Sequence, residues 1–462
     1  MRRIKLNTER FHLRSPDRNI CMKVDIEGEI SGDQLYAAIE RLGIIHPLLR
    51  SSIDVEDNGK AYYVPGSVEI ITPRWVDTDI NPVNSKESSN KRNNIEYIDE
   101  DKNDWQSIFS KYDGRIFDMI NGPLIRFIMI HSKGMATLII IGHHLLGDGM
   151  AFVYLIKDLM SIMGYTDLDI SEKMPPLIKK ESHMPKNTRL SLPSKLLVNY
   201  INKKWAEEKR VFSDSEYHNM FENYREEYKP SLRMLHIDSY SMLKFKNKCR
   251  EHKVTVNDAV TAAFLYALQV NIPEHMNKKD NISVAVNVRN ELTKKPEEVM
   301  GNFASAVSAK CAYDKDKDLW YNAINIKKKL NAKLKKPYNR MVLLQFLHKL
   351  DKSILDAVYF YEFTDYDSKL VANVAKILGV DRQNRGLGIS NLMKLNIPVE
   401  YGKYKIKDIA FICPNEPAND ITVGVVTFNG KMNIAVRYSK KNISENQIDK
   451  ICKSAMKRLR KD

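Results

Sequence analysis

The chain is poor in the features that mark secreted, membrane-spanning or metal-organised proteins. Of its 462 residues only five are cysteine: Cys21, Cys249, Cys311, Cys413 and Cys452. They stand singly, with no Cys-x-x-Cys pair, and an odd number cannot close a disulfide framework. Small buried side chains in a reducing compartment are expected. Long apolar runs are missing as well. Runs such as Leu138 to Ile141 fall far short of the roughly 20 residues that a spanning helix needs. The opening stretch MRRIKLNTERFHLRSPDRN has no apolar signal core. A cytoplasmic protein with no membrane span is therefore expected. Zinc-finger spacing, RNP-like strings and Gly-rich basic tracts are absent, so nucleic acid is not an expected partner.

What the chain does have is positive charge and length. Lysine and arginine number 73 against 58 acidic residues, a net charge of +15, which favours phosphates or acidic protein surfaces as partners without choosing between them. The basic runs NIKKKLNAKLKK (325–336) and KICKSAMKRLRKD (450–462) read as solvated helix faces. A chain of 462 residues exceeds one ordinary core, and two lobes of roughly 150 to 250 residues are expected.

Periodicity fills in these lobes. NICMKVDIEGEI (19–30) alternates as a strand, and SGDQLYAAIERLGIIHPLLR (31–50) opens with a Ser-x-x-Gln capping signal before apolar residues at helical spacing. PLIRFIMIHSKG (123–134) and ATLIIIGHH (136–144) predict an antiparallel pair turning at Ser132, Lys133 and Gly134. The polar stretch 77–104 between these blocks predicts an exposed excursion. Pro175, Pro176, Pro185 and Pro193 interrupt any long helix. Residues 1–170 are therefore assigned to an N-terminal lobe, 171–200 to a Pro-rich crossover and 201–462 to a C-terminal lobe. Beyond the crossover the pattern predicts a strand at 231–238, helices at 241–252 and 254–270, and strands at 281–289 and 305–313. Thr255 or Asn257 is positioned to cap the second helix. Helices around 317–335 and 341–358, strands near 386–395, 406–412, 420–429 and 431–438, and a closing helix at 443–460 follow. The fold class is α+β, with largely antiparallel sheets.

One stretch points to chemistry. In IIIGHHLLGDGMAFVYLIKDL (139–159) an apolar strand runs into His143 and His144, followed by Asp148 and Gly149 and at once by a helix. A strand ending in a tight turn holds its last side chains rigidly while exposing them, as a general base requires. Adjacent strand residues face opposite ways, so one histidine can serve while the other packs. A neutral imidazole there can take a proton from an attacking hydroxyl or amine. Gly147 and Gly149 are expected to supply positive φ, and Asp148 either orients an imidazole or pairs with an arginine. The spacing lacks the converging ligands of a metal site, and no metal is expected.

The string HHLLGDG resembles the His-His-x-x-x-Asp-Gly signature of the thioester-dependent acyltransferase superfamily. That superfamily embraces chloramphenicol acetyltransferase, plant BAHD acyltransferases, alcohol acetyltransferases and nonribosomal condensation domains. LYAAIERLGIIHPLLRSSI (35–53), VTVNDAVTAAFLYAL (254–268), VAVNVRNEL followed by MGNF, and GISNLMKLNIP are similar to further family stretches, in the family's order. The resemblance spans about residues 10–460.

It implies two chloramphenicol-acetyltransferase-like lobes with a tunnel between them. His144 would be the general base, His143 a buried support, and Asp148 one half of a structural ion pair with Arg50, beside Gly149. Ser390 and Asn391 would lie near the tunnel, where they either stabilise an oxyanion or serve as structural hydrogen bonders. AVYFYEF (357–363) would line an acyl tunnel or belong to the core. No tightly bound cofactor is implied. The co-substrate would be acyl-CoA or acyl-phosphopantetheine, and the partners a small-molecule acceptor and CoA or an acidic carrier protein. The Asp-Phe-Gly-Trp motif of the plant branch has no counterpart, which speaks against plant-type placement. No carrier or adenylation region adjoins, so a multidomain synthetase chain is not expected. Two other readings stay open: a free-standing condensation enzyme forming an amide, and a non-catalytic docking module of the same fold.

Overall fold

The computed structural model describes residues 3–66, 95–99, 105–165, 168, 170–275, 280–381 and 386–461. β1 (Ile4–Lys5) leads through a 3-10 turn (Thr8–His12) into β2 (Asn19–Glu27) and α1 (Gly32–Ile45). α1 starts where the sequence signals it: Ser31 accepts from Gln34 N while the Gln34 side chain accepts from Ser31 N, satisfying two otherwise unpaired donors. A 3-10 turn at Pro47–Arg50, β3 (Ser51–Val55) and β4 (Ala61–Pro65) follow. β5 (Ile95–Asp99), α2 (Trp105–Asp113), β6 (Ile125–Ser132), β7 (Met135–His143) and α3 (Gly149–Gly164) complete the N-terminal half.

The expected excursion at 77–104 lies outside the described residues except for 95–99. Those five residues form a strand parallel to β6. Their alternation, Ile95-Glu96-Tyr97-Ile98, is too short and too embedded in polar sequence to be read as one.

After the Pro-rich stretch come α4 (Leu192–Glu208) and α5 (Asp214–Tyr228), two helices the periodicity did not single out, then β8 (Pro230–Ile237), α6 (Ser239–Glu251) and α7 (Val256–Asn271). Thr255 is the cap of α7, in a reciprocal box with Asp258. β9 (Asp280–Asn287), β10 (Ala304–Cys311), α8 (Leu319–Leu334), α9 (Pro337–Lys349), α10 (Lys352–Phe363) and α11 (Lys369–Leu378) follow. The single helix expected at 341–358 is thus two, broken at Leu350 and restarted by the Asp351 cap. β11 (Gly386–Lys394), β12 (Glu400–Tyr401), β13 (Tyr404–Ile412), β14 (Asn419–Phe428), β15 (Lys431–Ser439) and α12 (Glu445–Lys461) end the chain.

Two six-stranded sheets organise these elements, in the orders β12-β13-β2-β7-β6-β5 and β10-β9-β11-β14-β15-β8, beside a small sheet β1-β4-β3. Pairing is antiparallel except β5 with β6 and β11 with β9 and β14. β7 is central, so both its faces are covered and Leu138 to Ile141 are fully buried. The fold is the mixed α+β architecture expected.

The sheets do not follow a cut of the chain at 171–200. β13 pairs with β2 along Lys405 to Ile412, so residues numbered within 201–462 build the N-terminal sheet. Such a crossover joins segments far apart in sequence, which local patterning does not register. Buried ion pairs fix the same association. Arg437 reaches Asp17 and Asp113, each at 3.1 Å, and Arg10 pairs with Asp356. Pairs of this kind set register more than they add stability. All five cysteines are free and buried.

Candidate active site

The site grows from the end of β7. His143 closes the strand opposite Asn19. Leu146 N donates to His143 O at 2.9 Å, tightening the turn, and His144 N donates to Arg18 O at 2.8 Å. The turn sends the two imidazoles apart. His143 is buried, with its ring edge-on to Phe117 at 6.3 Å, and its Nδ1 accepts from Leu145 N at 3.2 Å. His144 is half-buried and faces a cavity of about 670 Å³, a volume typical of small-molecule sites.

Asp148 locks this turn to the other half of the molecule. As the cap of α3 it accepts from Ala151 N at 3.0 Å, and it accepts from Phe303 N at 2.8 Å. Its ion-pair partner is Arg289, whose Nη1 reaches both carboxylate oxygens at 2.8 and 2.7 Å. The Arg50 partnership expected from sequence is therefore corrected. Arg50 donates to Gly43 O and Gly66 O and pairs with Glu172, holding the end of α1. Arg289 belongs to the quoted VAVNVRNEL stretch, but sequence order gave no reason to prefer it.

The glycines are used differently from expectation. Neither Gly147 nor Gly149 has positive φ. They are needed for contact: a Cβ on Gly149 would lie 2.7 Å from Leu392 and 3.0 Å from Phe411, and one on Gly147 2.5 Å from Ala151. The positive φ sits across the interface at Gly301, at 131°, where Gly147 and Gly301 form a parallel bridge.

Ser390, on β11, lines the cavity. The Asn391 amide is engaged at both ends, donating to Asn257 Oδ1 at 3.2 Å and accepting from Met393 N at 2.7 Å. Stretches that the sequence kept apart, HHLLGDG, VTVNDAV, VNVRNEL, MGNF and GISN, thus converge on one place. AVYFYEF does not join them. Ala357 to Phe360 are core residues of α10 outside the cavity wall, because α10 packs inward against the 3-10 turn at Thr8–His12.

Three neighbours, His12, Arg18 and Glu416, were not singled out from sequence. His12 stacks on His144, with ring centroids 4.1 Å apart and planes within 4°, and its Nε2 lies 2.6 Å from Asn302 Nδ2. Arg18 is buried behind them, pairs with Glu416 on the cavity wall and donates to Tyr359 OH at 2.7 Å. None of these three sits in a short motif, so no local signal marks them, whereas Asn302 and Tyr359 stand in the quoted MGNF and AVYFYEF stretches.

Burial first, and then the Arg18 guanidinium, push the His144 pKa down to about 4, against the pull of Glu416 and Asp148. Burial and the His144 ring push His143 down to about 3. Both rings are neutral at physiological pH, so His144 can accept a proton. Among the described residues no group of three or more His, Cys, Asp or Glu is placed to hold a metal ion. No helix among them is long and apolar enough to cross a membrane.

Two lobes meeting at a cavity with a His-His-x-x-x-Asp-Gly turn define the condensation-domain and chloramphenicol-acetyltransferase class of fold. Comparison with known proteins agrees. The family model described as alcohol acetyltransferase matches residues 12–459, and the chain belongs to that family. Among solved structures it is similar to the trichothecene 15-O-acetyltransferase of Fusarium sporotrichioides (13% identity, 98% of this chain and 93% of that one, TM-score 0.63). It is similar also to the first condensation domain of the CDA synthetase (10% identity, 99% and 95%, TM-score 0.61). Polyketide synthase associated protein 5 of Mycobacterium tuberculosis gives 16% identity over 99% and 97%, with TM-score 0.58. No curated protein matches. Family and fold together support a function of the acyltransferase or condensation type.

Proposed function

We propose that the chain moves an acyl group from a phosphopantetheine thioester, acyl-CoA or an acyl-carrier protein, to a hydroxyl or amine acceptor, with His144 as general base. The observation that carries this reading is a neutral, half-buried His144 opening on a cavity lined from both halves of the chain. Its Nδ1 is enclosed, which leaves Nε2 to take the acceptor's proton as the acceptor attacks the thioester carbonyl. Collapse of the tetrahedral intermediate breaks the C–S bond, and the departing thiolate recovers the proton from His144. Ser390, half-buried on the cavity wall, is the candidate donor toward the oxyanion. The Asn391 amide supports the strand that carries it. The barrier falls through proton removal, through holding both reactants together and through donors aimed at developing charge.

Three exposed lysines on separate elements, Lys310, Lys333 and Lys376, line the cavity. With the net charge of +15 they favour a donor carrying phosphate or an acidic carrier. A thioester co-substrate meets the chemistry without a tightly bound cofactor. The runner-up is a free-standing condensation enzyme that forms an amide from carrier-bound substrates.

Thiol release from acyl-CoA and acyl-carrier donors, offered with mixed alcohols and amines, tests the reading. Release from acyl-CoA that is lost in His144→Ala is expected. Release from carrier-bound donors alone would move the assignment to the condensation enzyme, and turnover indifferent to His144→Ala would remove the mechanism. A complete lack of release with folded protein would favour the docking module.

A further inference from the structure

A general base works best when something fixes its ring, most often a carboxylate or carbonyl on the second nitrogen. In this molecule Nδ1 of His144 is buried without a partner from another residue among those described, and the one hydrogen-bonding influence on the ring is that of its own backbone. That contact with its own residue leaves the ring faces free, and a second imidazole covers one of them. His12 lies face to face with it at 4.1 Å and 4°, and both line the same cavity.

The orientation of His12 is itself determined. Asn302 Oδ1 accepts from Ala304 N at 3.1 Å, which turns its Nδ2 toward His12 Nε2, 2.6 Å away. An amide nitrogen donates, so Nε2 accepts and the His12 proton resides on Nδ1. Asn302 stands in the MGNF stretch, next to the Phe303 amide that binds Asp148. The clamp that locks the turn therefore also locks the ring stacked on the base.

We propose that His12 is a positioning residue for His144: its pinned, parallel ring fixes the plane of the base and keeps water off that face. When His144 takes a proton, the π-face of a neutral ring is also the partner that a flat cation prefers. Protonation of His12 itself is opposed by burial first and then by His144, Arg18 and His143, which hold its pKa well below the ordinary value. Glu416, Arg18's partner, lines the same cavity together with Asp148 and Asp381. The proposal rests on His144 being the base.

The test uses the full chain with His12→Ala, His12→Phe, Asn302→Ala and His144→Ala. Turnover is followed as thiol release from acetyl-CoA with a primary alcohol, and His144 ring titration by NMR without substrate. His12→Ala is expected to lower kcat roughly 10- to 100-fold at unchanged KM. It should also raise the His144 pKa by about one unit, as water reaches the exposed face. His12→Phe, a flat ring of similar size, should restore most of both, and Asn302→Ala should fall between. Wild-type kcat and ring titration in His12→Ala would overturn the proposal. So would a His12→Phe as impaired as His12→Ala, because imidazole chemistry rather than the flat face would then be at work. Full turnover in His144→Ala would instead overturn the base assignment, and the substrate-free titration would still judge the stack.

Discussion

The protein buries imidazoles in two settings and obtains opposite charges from them. At the cavity, His143 and His144 sit beside other imidazoles and the Arg18 cation, and their pKa values fall to about 3 and about 4. In the C-terminal half His275 is wedged between Asp280 (2.5 Å from Nδ1) and Asp420 (2.9 Å from Nε2), and its pKa rises to about 9. Desolvation is the largest influence at both places and pushes both downward. The carboxylates reverse it at His275 because they engage both ring nitrogens, whereas at His144 the strongest charge influence, that of Arg18, is positive. One setting yields a neutral base and the other a fixed cation that ties a 3-10 turn (Pro273–His275) to β9 and β14. Burial alone therefore does not say what a histidine does; the groups on its two nitrogens do.

The sharpest break of this contrast is to delete each ring. His144→Ala is expected to reduce turnover by about 10²- to 10⁴-fold with little change in melting temperature. His275→Ala should do the reverse. It leaves two carboxylates facing one another and should cost on the order of 3–5 kcal/mol of stability, with turnover per folded molecule intact. Denaturant titration paired with initial rates on both variants separates the effects. A His275→Ala protein as stable as wild type would mean that its ion pairs carry no net weight.

Arg289→Ala probes the lock between the settings. Removing the partner of buried Asp148 is expected to cost about 3 kcal/mol and to lower turnover as the His144 turn loosens. The same change at Arg50, whose described partners Gly43, Gly66 and Glu172 do not line the cavity, should leave turnover near wild type. Equal losses of turnover in the two variants would show that the turn is not held through Arg289.

Stability against pH should carry both signatures. His275 has a folded pKa above its unfolded value near 6.5, so its contribution is full below that value and is lost as pH rises through about 9. His143 and His144 have folded values below it. The unfolded chain binds their protons first, and stability falls as pH drops from about 6.5 toward 4. Melting temperatures across this range should form a dome. His275→Ala should flatten the alkaline side alone. The smallest effect is expected for Gly149→Ala, where a methyl crowds Leu392 and Phe411 at about 1–3 kcal/mol, read as a shift in melting temperature.

Local pattern carried much of this molecule. The Ser31 and Thr255 caps, the β6–β7 hairpin and the apolar strand ending in His143 obey rules that act over a few residues. Hydrogen bonds at helix ends and side-chain alternation need no distant partner, so they can be read directly. The break between α9 and α10 was harder, because apolar spacing continues on both sides of it. The β5 strand was missed because its hydrogen-bonding partner, β6, lies about thirty residues on.

By itself the sequence determined the type and order of most elements, the family resemblance and the presence of His144 at the end of a rigid strand. Only the tertiary structure decided that Asp148 pairs with Arg289 rather than Arg50, that β13 completes the N-terminal sheet, and that His12 lies flat against His144. Each of these joins residues more than a hundred positions apart. Charge complementarity permits many such pairings along a chain with 73 basic and 58 acidic residues, and only packing in three dimensions leaves one of them within reach.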